Sequence, residues 1–124
     1  ADTIGCTVEV FQSNHEGTLI DAIQAAQAGY SGIVINPGAY AHYSYAIYDA
    51  LRAADVPAVE VHISDITARE PFRAVSVTAA ACVKTICGHG LMGYLEAMDY
   101  LMATASDRSD SAAPHAGCGG AACI

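Results

Sequence analysis

Positive charge is scarce in this sequence: 124 residues carry 5 lysines and arginines against 13 aspartates and glutamates, a formal net charge of -8. So few cations cannot build a stripe that tracks a phosphate backbone, and the overall field repels anionic surfaces. A nucleic acid or an anionic membrane is therefore excluded as the primary partner. An arginine beside a pocket would have a local task, holding one anionic group of a small ligand. Long apolar runs are lacking too. No stretch approaches the ~18 apolar residues that span a bilayer, and the first residues show no basic segment followed by a hydrophobic one, so the chain reads as soluble and cytoplasmic. Glycine-rich phosphate loops of the GxGxxG or GxxxxGK type are missing, which leaves a nucleotide-binding reading without a motif. There is no internal repeat. The cysteine count is odd, at 5. Cys6, Cys82 and Cys87 sit in apolar stretches where a reduced thiol packs as a small hydrophobe, which speaks against a disulfide framework.

What is present suits one compact domain. Hydrophobic residues make up 53% and charged residues 15% of the chain, enough apolar surface for a single core. The segment Cys6 to Phe11 alternates like a half-buried strand and runs into a polar turn, Gln12 to Gly17. Leu19, Ile20, Ile23 and Ala26 recur at helical spacing, predicting a helix over Thr18 to Ala28 with Gly29 as its stop. Gly32 to Asn36 is a short apolar run closed by Pro37-Gly38, as expected of a strand buried on both faces. Ser44 can cap a helix that carries Ile47, Leu51 and Ala54 and ends before Val56-Pro57. Ala58 to Ile63 and Cys82 to Cys87 are two further strands, and a last helix spans about Leu91 to Thr104. Helix-length crossovers between apolar strands specify an α/β fold, a parallel sheet with helices on both faces in three layers. From Ser106 onward the chain turns to Ser, Ala, Gly and Asp without hydrophobic period, so residues 106–124 read as a flexible tail after a domain of residues 1–105. His115, Cys118 and Cys123 within it form only a weak metal-ligand signal.

Ligands of parallel sheets bind at the carboxyl ends of the strands, and that rule selects the residues to weigh. Glu60 and His62 lie two apart on a strand and so share a face. A carboxylate there can fix the tautomer of an imidazole used as acid or base, or the two can form a mere strand-end ion pair. Asn36-Pro37-Gly38 can present an amide and backbone N–H groups to an oxyanion or hydroxyl, or can be a turn chosen for its Pro and Gly. Arg73, after Arg69 and Glu70 in a polar loop, can clamp a carboxylate or stay solvated. His42, His89 and the 7 tyrosines are ambiguous one by one.

Four blocks in order carry a resemblance: Phe11-Gln12-Ser13-Asn14-His15-Glu16-Gly17, Ile35-Asn36-Pro37-Gly38-Ala39-Tyr40-x-His42-x-Ser44, Val59-Glu60-Val61-His62-Ile63-Ser64, and Ala68-Arg69-Glu70-x-Phe72-Arg73. From Val8 to about Leu101 the sequence resembles type II 3-dehydroquinate dehydratase. The resemblance implies a flavodoxin-like fold and a lyase of the shikimate pathway, in aromatic amino acid biosynthesis, that removes water from 3-dehydroquinate to give 3-dehydroshikimate by anti elimination through an enolate, without metal or organic cofactor. It implies His62 as the general acid, Glu60 as its orienting partner and Asn36 as the positioning amide. It further implies Ser64 and the Ile63 backbone on the substrate carboxylate, and His42 and Arg73 on ring hydroxyls. Asp49 matches an aspartate that reaches a neighbouring subunit's site in a homo-oligomer, which is trimer-based and dodecameric in the family.

The departures are specific. In the family an initial strand, a lid bearing an arginine and the base tyrosine, and a first helix precede the segment that opens here, where only Ala1 to Gly5 stand before the first strand. Neither base nor lid arginine maps, and the strand at Cys6 is expected to lack a neighbour from its own chain. A cleaved or incomplete chain, a partner chain supplying the strand, and a degenerate homologue are the three explanations, the first favoured. Tyr48 stands where arginine is usual, and Ala74-Val75 where histidine is common. Two rival functions follow: a non-catalytic binding module for a polyhydroxy acid, and a generic flavodoxin-like scaffold.

Overall fold

A computed structural model describes residues 7–109 and 120–124. Its strands and α-helices are β1 (Thr7–Val10), α1 (Glu16–Ala26), β2 (Gly32–Ile35), α2 (Tyr45–Ala53), β3 (Ala58–His62), β4 (Lys84–Cys87), α3 (Met92–Ser109) and β5 (Gly120–Cys123). Short 3-10 turns at Gly38–His42, Ile66–Ala68, Pro71–Ala74 and Ala79–Ala81 connect them. The strands form one five-stranded sheet in the order β1-β5-β2-β3-β4, and every pairing is parallel.

The alternation of side chains along β2 explains the layers. Ile33 and Ile35 face α1 and α2, where they pack with Leu19, Ile23, Ile47 and Leu51. Val34, between them, faces α3 and packs with Val59, Val61, Ile86, Met98 and Leu101. A strand read as apolar without a break is apolar because both its faces are covered. The helix starts are tied together as well. Ser44 caps α2 by accepting from the Ile47 N–H (3.1 Å), while its own hydroxyl donates to Glu16 in the first turn of α1.

One glycine is set by close approach. A β-carbon on Gly32 would stand 3.0 Å from the Leu101 methyls, so the missing side chain lets α3 lie directly on β2.

Several expectations require correction. β1 does have a neighbour of its own chain, because β5 pairs with it from Thr7↔Gly120 to Val10↔Cys123 and with β2 on the other side. The solvated tail does not hold for residues 120–124 either, since these form an interior strand with Ala122 and Ile124 in the core. The helix before it also runs on to Ser109, past the expected end at Thr104. Small residues without a period give no sequence signal for a strand, and only the open slot between β1 and β2 selects that conformation. Cys6, placed on the first strand from sequence, lies outside the described residues, as do His115 and Cys118. At the sheet's edge, Val10 is 74% exposed, so the expected half-buried face is realised only at Val8.

Leu101 is fully buried between α3 and the sheet. Leu101→Ala is expected to lower unfolding free energy by about 2–5 kcal/mol, measured by urea denaturation. A loss below about 1 kcal/mol would contradict this packing.

Candidate functional site

β3 carries the chemical centre. Glu60 is completely shielded from solvent, a placement that costs several kcal/mol for a bare carboxylate and so demands partners. It has three. The His62 Nε2–H donates to Glu60 Oε2 (2.8 Å), the Ser76 hydroxyl donates to the same oxygen (2.6 Å), and the Thr78 hydroxyl donates to Oε1. Burial pushes the Glu60 carboxyl up, yet the hydrogen bonds from His62, Ser76 and Thr78 outweigh it and leave the group below its ordinary value. With Nε2 held by the carboxylate, the ring is fixed and Nδ1 is the nitrogen suited to meet a ligand.

Asn36 is the first residue after β2. Its Oδ1 accepts from the Gly38 N–H (3.1 Å) and its Nδ2 donates to the Tyr94 hydroxyl (3.0 Å), so both ends of the amide are oriented. Gly38 stands at φ +61°, a left-handed conformation that disfavours side chains and closes this turn. His42 ends the following 3-10 turn, with its ring stacked at 18° to that of His62, centroids 6.4 Å apart. Its Nδ1 donates to the Val75 carbonyl (2.7 Å); a carbonyl can only accept, so Nδ1 carries the proton.

Arg73 lies in the turn Pro71–Ala74, where its Nε–H donates to Glu70 and its guanidinium sits 4.8 Å from the Phe72 ring centroid. At Glu70 a backbone hydrogen bond within the residue and the Arg73 contact hold the carboxyl below its ordinary value. The side chain of Arg73 is thereby steadied while its terminal nitrogens remain suited to a ligand. The Ile63 carbonyl accepts from the Gly90 N–H (3.0 Å), which ties the tip of β3 to the residues just before α3.

Asn36, His42, His62, Ile63, Ser64 and Arg73 line one cavity of about 200 Å³, joined by Gly38, Ala39, Ile66 and Arg69. Six of the residues expected from sequence thus meet in one place, with Glu60 behind His62. Asp49 does not join them. It is exposed on α2 and lines neither this cavity nor a larger neighbouring cleft of about 760 Å³ that shares Asn36, Gly38 and Ala39. Sequence reasoning missed Arg69 as a lining residue, although an arginine four positions before Arg73 was a signal. It missed Ser76, Thr78 and Tyr94 with no signal available, because their partners lie 16, 18 and 58 residues away. Two of the chain's 5 lysines and arginines, Arg69 and Arg73, border the cavity, each paired with Glu70 at 4.0 and 2.5 Å, which offsets part of their charge. No group of three or more His, Cys, Asp or Glu side chains that could hold a metal occurs among the described residues.

A lowered carboxyl pKa means that the folded chain binds fewer protons here than the unfolded chain. The stabilisation is present above the unfolded value of about 4.3 and is lost as pH falls through the lower folded value. Urea unfolding between pH 7 and pH 2 is expected to show this loss, with a shallower acid slope in Glu60→Gln. Parallel slopes would sink the assignment of the effect to Glu60.

Residues 1–102 match the family model described as dehydroquinase class II. The 3-dehydroquinate dehydratase of Bacillus cereus (strain B4264) is 54% identical over 102 residues, covering 82% of this chain and 70% of that protein. Its counterpart from Clostridium acetobutylicum is 59% identical over 92 residues, covering 74% of this chain and 64% of the relative. Among solved structures, the type II dehydroquinase from Butyrivibrio crossotus superposes with a TM-score of 0.74 at 55% identity, over 75% of this chain and 66% of that one. The type II dehydroquinase from Propionibacterium acnes gives 0.76 at 42% identity, over 86% and 71%. The strand-tip cavity and the matched sequence agree: this chain belongs to the class II dehydroquinase family.

Proposed function

We propose that the cavity binds 3-dehydroquinate and supports its dehydration to 3-dehydroshikimate, a hydro-lyase reaction of the shikimate pathway in the cytoplasm. The observation that carries this reading is the convergence of the Asn36 amide, the His62 imidazole backed by buried Glu60, and the Arg73 guanidinium on one cavity of about 200 Å³. Hydroxide is a poor leaving group, and an enolate needs its charge met by donors already in place. For His62 to act as the acid its Nδ1 must carry a proton as well, since Nε2–H is held on Glu60; that Nδ1 proton passes to the departing C1 hydroxyl, which leaves as water. Asn36 positions the reacting end, Ser64 and the Ile63 N–H hold the carboxylate, and His42 and Arg73 bind ring hydroxyls. Arg69 adds a second positive charge at the rim.

The tyrosine that takes the C2 proton in the family has no counterpart among the described residues lining this cavity. That observation keeps a second reading in view, a module that binds a polyhydroxy acid without turning it over. Asp49, exposed on α2, reaches a neighbouring subunit's site in a trimer-based homo-oligomer, a dodecamer by family pattern.

Protein of established intact mass is mixed with 3-dehydroquinate and the enone absorbance of the product is followed. Product is expected, with kcat in His62→Ala lower by about 10²–10⁴-fold and the circular dichroism spectrum unchanged. Ordinary turnover by that variant would falsify the acid assignment. Saturable binding without product, weakened by Arg73→Ala, would favour the binding module.

A further inference from the structure

Residues 120–124 run between the strands whose tips carry Phe11 and Asn36. Cys123 and Ile124 line the larger cleft together with Phe11, Asn14, Asn36 and Tyr94. Three backbone hydrogen bonds tie them to the neighbouring strand tips: Phe11 N–H to Cys123 O (2.8 Å), Ile124 N–H to Val34 O (2.7 Å) and Asn36 N–H to Ile124 O (2.8 Å). The side chains fit both layers. Ala122 and Ile124 pack towards α1 and α2, and Cys123 packs towards α3. Phe11 opens the loop that carries Asn14, and Asn36 is the site amide. The Ile124 main-chain oxygen therefore holds a residue that lines both cavities.

We propose that residues 120–124 are a positioning strand for the site, with the Ile124 main-chain oxygen setting the orientation of Asn36 through its N–H. The physical argument is one of leverage. Asn36 has left β2: its backbone N–H is held by Ile124, while its side-chain amide is held by the Gly38 N–H and the Tyr94 hydroxyl. Loss of the first contact frees the peptide plane about which the side-chain amide swings, and small misplacements of a positioned group cost large factors in rate. The role is carried by a main-chain atom, so the small side chains of the segment are no obstacle to it.

Removal of Ile124 alone leaves the Phe11 to Cys123 bond in place and deletes the Asn36 contact. Hydrogen exchange of the Asn36 amide, followed by NMR, is expected to accelerate by about tenfold or more. The kinetic arm rests on the dehydration proposed above: kcat falls by about a hundredfold, with KM changed far less. Ile23→Ala, which weakens the same core cluster without touching a strand tip, separates positioning from stability loss and is expected to alter neither quantity. Placement of the strand is tested in the intact chain with Val10→Cys. Val10 is the register partner of Cys123, so mild oxidation should join the introduced thiol to Cys123 within one molecule, as read by peptide mapping. If the intact chain turns nothing over, the dehydration reading fails by itself, and the exchange and disulfide results still decide the strand's role. A thiol that pairs elsewhere or not at all, or an Asn36 amide indifferent to the loss of Ile124, would overturn the proposal. So would kcat lowered equally by Ile23→Ala.

Discussion

A carboxylate sealed inside the protein organises this site. Glu60 has no access to water, and its charge is met by His62, Ser76 and Thr78 together. One donor comes from the same strand and two from the loop that follows the turn holding Arg73. Satisfying the buried charge thus draws that loop against the tip of β3 and brings the guanidinium to the histidine. No buried side-chain nitrogen or oxygen among the described residues is left without a partner, so every member of the network is satisfied. The same contacts that keep the carboxylate inside the fold hold the imidazole in one orientation.

Charge is distributed with economy. A chain of net charge -8 places Arg69 and Arg73 at the cavity beside the tips of β2 and β3, and shields Glu60 there behind His62. A small anion is attracted locally although the protein as a whole repels anions. None of the described thiols lines this cavity. Burial pushes Cys82 up to about 12, with the Glu60 charge adding to the effect, so it packs as an inert apolar group.

The sheet is completed by an unusual route. Four strands follow one another with helices or loops between them, and the fifth returns from the other end of the described chain to the interior position between β1 and β2. A parallel strand with neighbours on both sides satisfies its backbone fully, which is what lets a segment as plain as Gly-Ala-Ala-Cys lie in the middle of a sheet. The expectation of an unpaired first strand rested on the family's own order of elements. The structure answers it from within the same chain.

Periodicity is a local property, and everything that rested on it could be read directly. The apolar runs of β2 and β3, the face of α1, the Ser44 cap, and the sharing of one face by Glu60 and His62 all come from neighbours in sequence. So did the placing of Asn36 and His62 at strand ends, where parallel sheets bind ligands. What pairs distant segments could not be read that way. Ser76 and Thr78 on Glu60, Tyr94 on Asn36, Arg69 at the cavity rim and the insertion of β5 depend on loops and strand slots that exist only once the sheet has formed. The sequence by itself determined which candidate residues share a face or end a strand, because hydrogen-bonding groups and alternation are written into it. Tertiary structure alone decided how each group is held, because a buried charge or an open strand edge selects its partner by proximity in space.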